Sequence, residues 1–201
     1  MAKARVMVLD AFAKRGVGAE IGVFKGRFSR MLLKHTKPKK LYLIDPWENF
    51  DDPGLADAWY HKSAENDMEA HYARVTERFA GEIEAGQVSI LRGKTVDVAD
   101  EIADQSLDYV YIDGDHRFEA VAADLEVAAQ KIMPGGLIAL DDHHLRGWWG
   151  DGVVRAACEF LGKYSATMQI HTCIDRQLII KRRVISQEDE AVREAAKLAA
   201  A

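Results

Sequence analysis

This chain has only two cysteines, no long apolar run and no excess of positive charge. Its 201 residues include two cysteines, Cys158 and Cys173, too far apart for a CxxC motif or a zinc knuckle. So few thiols exclude a disulfide-stabilised scaffold. No run approaches the roughly 20 apolar residues of a membrane span, and the N-terminus lacks the apolar stretch and cleavage site of a signal peptide. We therefore expect a cytoplasmic protein.

The charge balance argues against two classes of partner. Lys and Arg number 27 against 32 Asp and Glu, a net charge of −5, so the chain has no general attraction for nucleic acid or anionic membranes. Its length suits one domain. We expect a single domain over residues 1–185 and a helical tail over residues 186–201. The expected role of the tail is packing or self-association, which leaves a homo-oligomer open.

Short apolar runs alternate with helical patterns, which is typical of βαβ units and a parallel sheet. Only residues 174–176 separate the last two runs, too few for a crossover helix, so these two must form an antiparallel hairpin. The predicted fold class is α/β, a doubly wound, mostly parallel seven-stranded sheet with a C-terminal antiparallel hairpin. The predicted strands are residues 17–22, 40–45, 88–91, 107–113, 136–141, 167–173 and 177–181.

Two connections carry further signals. Between the second and third strands, an apolar stripe from Tyr60 to Ile83 has helical spacing and predicts a helix. Residues 47–54, before it, combine turn residues with aromatic ones, which makes them a candidate lid. Residues 147–152 place two tryptophans between glycines, and we interpret them either as a second closing segment or as a fixed aromatic plug.

Acidic residues stand at the predicted carboxyl ends of four strands, the edge at which open α/β sheets bind ligands. Asp45 comes 23 residues after Gly22, a position from which a carboxylate can accept both hydrogen bonds of a ribose diol. Positions 24 and 27 are not glycine, so the dinucleotide pattern GxGxxG is missing and a smaller ligand fits better. The acids at the strand ends are Glu20, Asp45, Asp113, Asp141 and Asp142.

Asp113 and Asp141 predict a cation site. If the fourth and fifth strands are neighbours, about 4.8 Å apart, both carboxylates reach one ion. With Asp142 they form a set that suits Mg²⁺, or else Mn²⁺ or Ca²⁺, while the nearby histidines leave a softer metal open. The alternative is that Asp142 and the histidines only cap the next segment. His116 and His143 are the best-placed candidate bases, followed by His144.

These residues resemble the motifs of class I S-adenosylmethionine-dependent methyltransferases, and most of all the small O-methyltransferases, several of which depend on magnesium. The resemblance runs from about residue 17 to residue 181. Residues 18–26 look like the first family motif, and residues 108–116 and 133–142 look like the fourth and fifth strands. The resemblance implies a Rossmann-like methyltransferase fold and S-adenosyl-L-methionine as the cofactor.

The resemblance also implies a role for each residue of the cofactor site. Gly22 and Gly26 would lie against the methionine half of the cofactor, with Glu20 supporting their loop. Asp45 would hold the ribose hydroxyls. Asp113 would belong to the cofactor-binding, metal and catalytic residues alike. The adenine would be bordered by Trp47 and Thr95. The Mg²⁺ ion would be held by Asp113, Asp141 and Asp142.

The function expected from these assignments is methyl transfer from S-adenosylmethionine to a hydroxyl oxygen of a small molecule. A bound cation would lower the pKa of the hydroxyl, and His116 or His143 would remove its proton. Two alternatives stay open at this point. One is a nicotinamide-dependent oxidoreductase, which shares the first strand, turn and ribose acid. The other is a protein that binds S-adenosylmethionine without turnover.

Overall fold

The computed structural model of the protein describes residues 2–50, 52–58 and 67–185. Seven strands form one sheet. Each is a short apolar segment at or near its predicted position. The strands are β1 (Val17–Ile21), β2 (Lys40–Asp45), β3 (Val88–Arg92), β4 (Leu107–Ile112), β5 (Ile132–Leu140), β6 (Met168–Ile174) and β7 (Gln177–Arg182).

The strand order is β3-β2-β1-β4-β5-β7-β6. Strands β1 to β5 run parallel to their neighbours within that group, while β7 runs antiparallel to both β5 and β6. Two residues, Asp175 and Arg176, connect β6 to β7, a connection that fits only a hairpin. The predicted fold class is confirmed, including the C-terminal antiparallel hairpin.

Helices cover both faces of the sheet. Helix α1 lies before the first predicted element and was not expected from the sequence. Helix α6 ends at Lys131, shortly before the Pro-Gly-Gly sequence that predicts its end. Strand β5 begins directly at Ile132, four residues before the predicted start at residue 136. The helices are α1 (Ala2–Ala11), α2 (Arg27–Thr36), α3 (Met68–Arg78), α4 (Ala80–Glu84), α5 (Thr95–Val98), α6 (Phe118–Lys131) and α7 (Gly152–Lys163).

Two apolar cores lie on opposite faces of the sheet, because successive side chains of a strand point to opposite sides. Val110 and Ile112 of β4 pack in the core that includes α6 and α7, whereas Tyr109 and Tyr111 pack in the core that includes α1, α2 and α3. Phe12, just after α1, stacks on Tyr109 with ring centroids 4.5 Å apart. Such a contact adds about 0.5–1.5 kcal/mol to the burial itself.

The connection between β2 and β3 follows its prediction in part. Helices α3 and α4 form the described portion of the helix predicted up to Ile83, and they are divided at Phe79. The Asp67 carboxylate begins α3 by accepting the main-chain N–H of Ala70 at 2.9 Å. Residues 59–66 of that predicted helix, and the tail predicted over residues 186–201, lie outside the described residues.

The candidate lid is joined to the loop after β4. Pro53–Leu55 forms a 3-10 turn, and the carboxylate of Asp52 accepts the main-chain N–H of Gly54 at 2.8 Å. The guanidinium of Arg117 forms ion pairs of 2.6 Å with both Asp52 and Asp115. This part of the connection is therefore held against the carboxyl edge of the sheet.

Within the three described ranges, no helix has both the length and the apolar character that a membrane crossing requires.

Candidate active site

The ends of β1, β4 and β5 meet at the carboxyl edge of the sheet. The main-chain N–H of Asp113 donates to Ile21 at 2.8 Å, and that of Asp141 donates to Ile112 at 2.9 Å. Gly22 turns the chain away from β1 with a φ of +88°, and a Cβ at this position would collide with the main-chain carbonyl of Asp113. Only glycine accommodates both constraints. The acids predicted at these strand ends do converge on one edge.

Asp45 ends β2 and holds the turn that follows β1. Its Oδ2 accepts the main-chain N–H groups of Val23 and Phe24, each at 2.9 Å, and its Oδ1 accepts that of Trp47 at 2.7 Å. Burial raises the pKa of Asp45, and the three N–H groups oppose that shift. A carboxylate has about four acceptor positions. The one that is left suffices for a single ribose hydroxyl.

The two residues predicted beside the adenine are buried. Trp47 is only 2% exposed. Its indole N–H donates to the carbonyl of Phe24 at 2.8 Å, and its ring centroid lies 5.3 Å from that of Tyr72. Thr95 is buried at the start of α5, where its hydroxyl opposes the rise in the pKa of Asp124 that burial causes. Both side chains stabilise the interior here, and their contact with adenine stays a prediction.

Glu20 and Gly26 lie on either side of the same turn. Glu20 is buried, and its Oε2 has no hydrogen-bond partner. Burial raises the pKa of Glu20 to about 8, although the Ser29 hydroxyl and the charge of Arg5 oppose the shift. Gly26 precedes α2 with a φ of +65°, and a Cβ there would press on the Phe79 ring at 3.1 Å. A buried carboxyl whose Oε2 has no hydrogen-bond partner therefore lies next to a turn in which Gly26 leaves little room for a side chain.

Arg5 bridges two of the carboxylates that were predicted to bind a metal. Its Nη2 donates to Asp113 Oδ2 at 2.8 Å and also to Asp141 Oδ2. The Gln177 amide donates to Asp141 as well, and the main-chain N–H of Asp142 donates to Asp141 Oδ1 at 2.9 Å. Burial and the charge of Asp141 raise the pKa of Asp113. Burial opposes ionisation of Asp141 too, but its cationic and amide partners lower its pKa.

The three acids predicted to bind magnesium are not grouped as a metal site. Asp142, the third expected ligand, has a φ of +51°, and its carboxylate faces His144 Nε2 at 3.3 Å and His116 Nε2 at 3.7 Å. Over residues 2–50, 52–58 and 67–185, no three His, Cys, Asp or Glu side chains are grouped to hold a metal ion. The residues do not fit the ion because Arg5 already supplies the positive charge between Asp113 and Asp141.

His116 is the histidine that faces the carboxylates. Its buried Nε2 has no hydrogen-bond partner and lies 3.8 Å from Asp113 Oδ1 and 3.7 Å from Asp142 Oδ2. Burial lowers the pKa of His116, even though the nearby carboxylates act in the opposite direction. The ring of Trp149 covers it, with centroids 4.7 Å apart. A neutral ring nitrogen in this position can accept a proton.

The other two candidate histidines are placed differently. His144 Nδ1 accepts the main-chain N–H of Arg146 at 2.9 Å, and its Nε2 faces Asp142. The pKa of His143 is lowered by burial, but in the part of the chain that the structure describes, its ring forms no ion pair with the acids of the site. The structure therefore brings His116 into the acidic cluster and leaves His143 outside it.

Comparison with known protein families gives a match to most of this chain. A family described as a methyltransferase domain matches residues 19–143, more than half of the chain. The chain belongs to this family. It is a class I S-adenosylmethionine-dependent methyltransferase, and the matched stretch runs from within β1 to just beyond β5 and contains the acidic edge. The match does not support the nicotinamide-dependent alternative.

Solved structures share the fold of this methyltransferase at low identity. The O-methyltransferase NovP is 18% identical with a TM-score of 0.62, over 91% of this chain and 79% of that one. The O-methyltransferase TomG from Streptomyces achromogenes, solved with S-adenosylmethionine, is 16% identical with a TM-score of 0.56, over 90% and 78%. The B. subtilis tRNA methyltransferase TrmK is 16% identical with a TM-score of 0.56, over 90% of this chain and 66% of that one. A comparison with curated proteins finds no significant match.

Replacing Asp45 by alanine is expected to weaken binding of S-adenosylhomocysteine by roughly 1–3 kcal/mol. The reason is that the N–H groups of Val23, Phe24 and Trp47 lose their acceptor, so the turn after β1 loosens. Isothermal titration calorimetry measures the change, and Asp100→Ala, at an exposed position, is the matched control. Unchanged affinity in Asp45→Ala would show that the cofactor site does not depend on this turn.

Proposed function

We propose that this methyltransferase transfers the methyl group of S-adenosylmethionine to a hydroxyl oxygen of a small molecule. The observation that carries the proposal is the buried Nε2 of His116, which has no hydrogen-bond partner. A hydroxyl must lose its proton to become a good nucleophile, and a neutral imidazole accepts it. The net charge of −5 and the acids at this edge favour a small acceptor over a nucleic acid, whose phosphates they would repel.

His116 acts as the general base in the proposed reaction. The acceptor oxygen attacks the methyl carbon in line with the carbon–sulfur bond, which requires both reactants to be held in register. The new oxygen–carbon bond forms as the carbon–sulfur bond breaks, and the electron pair of the broken bond stays on sulfur. The hydroxyl proton passes to His116 Nε2. The products are the methyl ether, S-adenosylhomocysteine and an imidazolium that later releases its proton to water.

The surroundings of His116 support this role. The carboxylate of Asp142, at 3.7 Å from Nε2, stabilises the imidazolium as it forms, because opposite charges attract more strongly where water is scarce. Trp149 packs over the ring and limits the access of water. No step passes through a metal ion, since the guanidinium of Arg5 takes the space between Asp113 and Asp141.

The cofactor is assigned to the turn between β1 and α2. Gly22 and Gly26 allow close approach to the main chain there, Asp45 keeps one acceptor position for the ribose, and Glu20 supports the turn from beneath. Asp113 lies between this turn and His116. In this proposal the cofactor sulfur and the base lie on the same edge of the sheet.

A methyl-transfer assay tests the proposal. The protein is incubated with S-adenosylmethionine and a panel of small phenols, sugars, carboxylic acids and amines, and the products are identified by mass spectrometry. We expect methyl ethers together with an equal amount of S-adenosylhomocysteine. Methylation of amines alone would contradict the proposal. Calorimetric binding of S-adenosylhomocysteine without turnover of any acceptor would favour the alternative of a protein that binds the cofactor and does not react it.

A further inference from the structure

The guanidinium of Arg5 lies where the sequence predicts a metal ion. Its Nη2 contacts one oxygen of Asp113 and one of Asp141, the two acids at the ends of β4 and β5. We propose that Arg5 is the resident cation of this active site and a positioning residue for its base, so that methyl transfer needs no divalent ion. The inference rests on the proposed methyl transfer. It also assigns a role to α1, which precedes the matched residues 19–143.

Helix α1 holds Arg5 in a fixed position. Val8 and Leu9 are completely buried against the sheet, and Phe12 stacks on Tyr109. The Arg5 side chain is itself partly buried, with its guanidinium carbon 5.5 Å from the centroid of the Phe28 ring. A guanidinium held in this way keeps its position in the folded protein, whereas the guanidinium of a surface arginine would exchange between water and many partners.

Arg5 acts on the base through Asp113. Oδ2 of that carboxylate accepts the guanidinium at 2.8 Å, and Oδ1 lies 3.8 Å from His116 Nε2. A charge-assisted hydrogen bond fixes the orientation of a carboxylate, so Oδ1 stays turned toward the imidazole. On the opposite side, Gln177 donates to Asp141 and accepts the Tyr111 hydroxyl at 3.0 Å. One connected network therefore extends from Tyr111 to His116.

A divalent ion and Arg5 compete for the same oxygens. An ion placed between Asp113 and Asp141 would lie beside the guanidinium, and like charges at such a distance repel. Magnesium also needs near-octahedral oxygen coordination, and Asp142 faces His116 and His144 instead. It follows that removing the guanidinium opens a cation site that the native protein does not have.

Manganese binding tests this competition without any acceptor. Mn²⁺ is titrated into the native protein, Arg5→Ala, Arg5→Met and Arg5→Ala/Asp141→Asn, and free Mn²⁺ is measured by electron paramagnetic resonance. We expect Arg5→Ala to bind Mn²⁺ about tenfold or more tightly than the native protein, because a neighbouring unit charge is gone, and the double variant to lose the gain. Arg5→Met keeps the apolar contact with Phe28 if alanine prevents folding. Arg30→Ala, an exposed cation of α2, is the control.

The proposal is overturned if the native protein binds Mn²⁺ as tightly as the Arg5 variants and loses it on Asp141→Asn, or if the variants gain no binding. Activity supplies a second readout. We expect a chelator to leave the rate of the native protein unchanged. The Arg5→Lys variant should keep most of the native rate. Added Mg²⁺ should restore activity to the Arg5→Ala variant and not to Arg5→Lys or the native protein. If the native protein binds S-adenosylhomocysteine but methylates no hydroxyl, the proposed function fails, and the Mn²⁺ titration still decides the role of Arg5.

Discussion

His116→Gln is expected to lower kcat for methyl transfer by roughly 10²–10⁴-fold. The substitution removes the nitrogen that takes the acceptor proton, and glutamine cannot replace it because its amide has no useful basicity. Binding of S-adenosylhomocysteine should stay as in the native protein, since the turn after β1 and Asp45 are untouched. Steady-state kinetics with an accepted hydroxyl compound and calorimetry with the product measure the two effects.

The pH profile separates a base from a structural histidine. Because burial lowers the pKa of His116, the native rate should fall toward acid pH with its inflection below the ordinary histidine value of 6.5, and His116→Gln should lose that inflection. His143→Gln is the matched control, as its ring lies outside the acidic cluster, and it should keep both rate and profile. An equal loss of rate in His143→Gln would show that the base is assigned to the wrong histidine.

The fold was largely predictable because its strands obey simple rules. The run over residues 109–112 in β4 is buried and apolar without alternation, as in a parallel strand that is covered on both faces. The two-residue connection at Asp175 and Arg176 leaves no choice but an antiparallel pair. Helix α1 was missed although three buried residues recur every four positions, namely Ala4 and Val8 within it and Phe12 just after it. That spacing was the available signal.

The candidate site was predictable to the extent that strand ends determine it. Strand β2 ends at Asp45, and strands β4 and β5 are followed directly by Asp113 and Asp141, so the topology alone brings these acids to one edge. The direction of loop side chains is not encoded in that way. Trp47 has a φ of +43°, which turns its ring into the core, and no pattern of apolar and polar residues predicts such a conformation.

The role of Arg5 could not be predicted from the sequence, because the cation that pairs with an acidic site can come from a distant part of the chain. Three carboxylates at adjacent strand ends require a positive partner, and the sequence alone suggests a metal. The partner is an arginine 108 residues before Asp113. Composition and spacing contain no information on which cation folds onto which acid, since that depends on how α1 packs against the sheet.

Glu20→Gln is expected to stabilise the folded protein at alkaline pH by roughly 3–5 kcal/mol. Burial in β1 raises the pKa of Glu20 from its ordinary 4.5 to about 8, so the folded state binds a proton that the unfolded state has lost. The contribution of Glu20 to stability is therefore fully present below pH 4.5 and is lost as the pH rises to 8. Glutamine resembles the neutral form at every pH and removes this loss.

Urea unfolding without cofactor, at several pH values across that window, measures the effect. The native and Glu20→Gln stabilities should converge near the acid end and separate steadily toward pH 8, because each pH unit in between costs the native protein about 1.4 kcal/mol at this one group. Glu119→Gln removes an exposed carboxyl of α6 and should keep the native slope. A native-like slope in Glu20→Gln would mean that the carboxyl is ionised in the fold, in which case Arg5 neutralises Glu20 as well as the pair at the ends of β4 and β5.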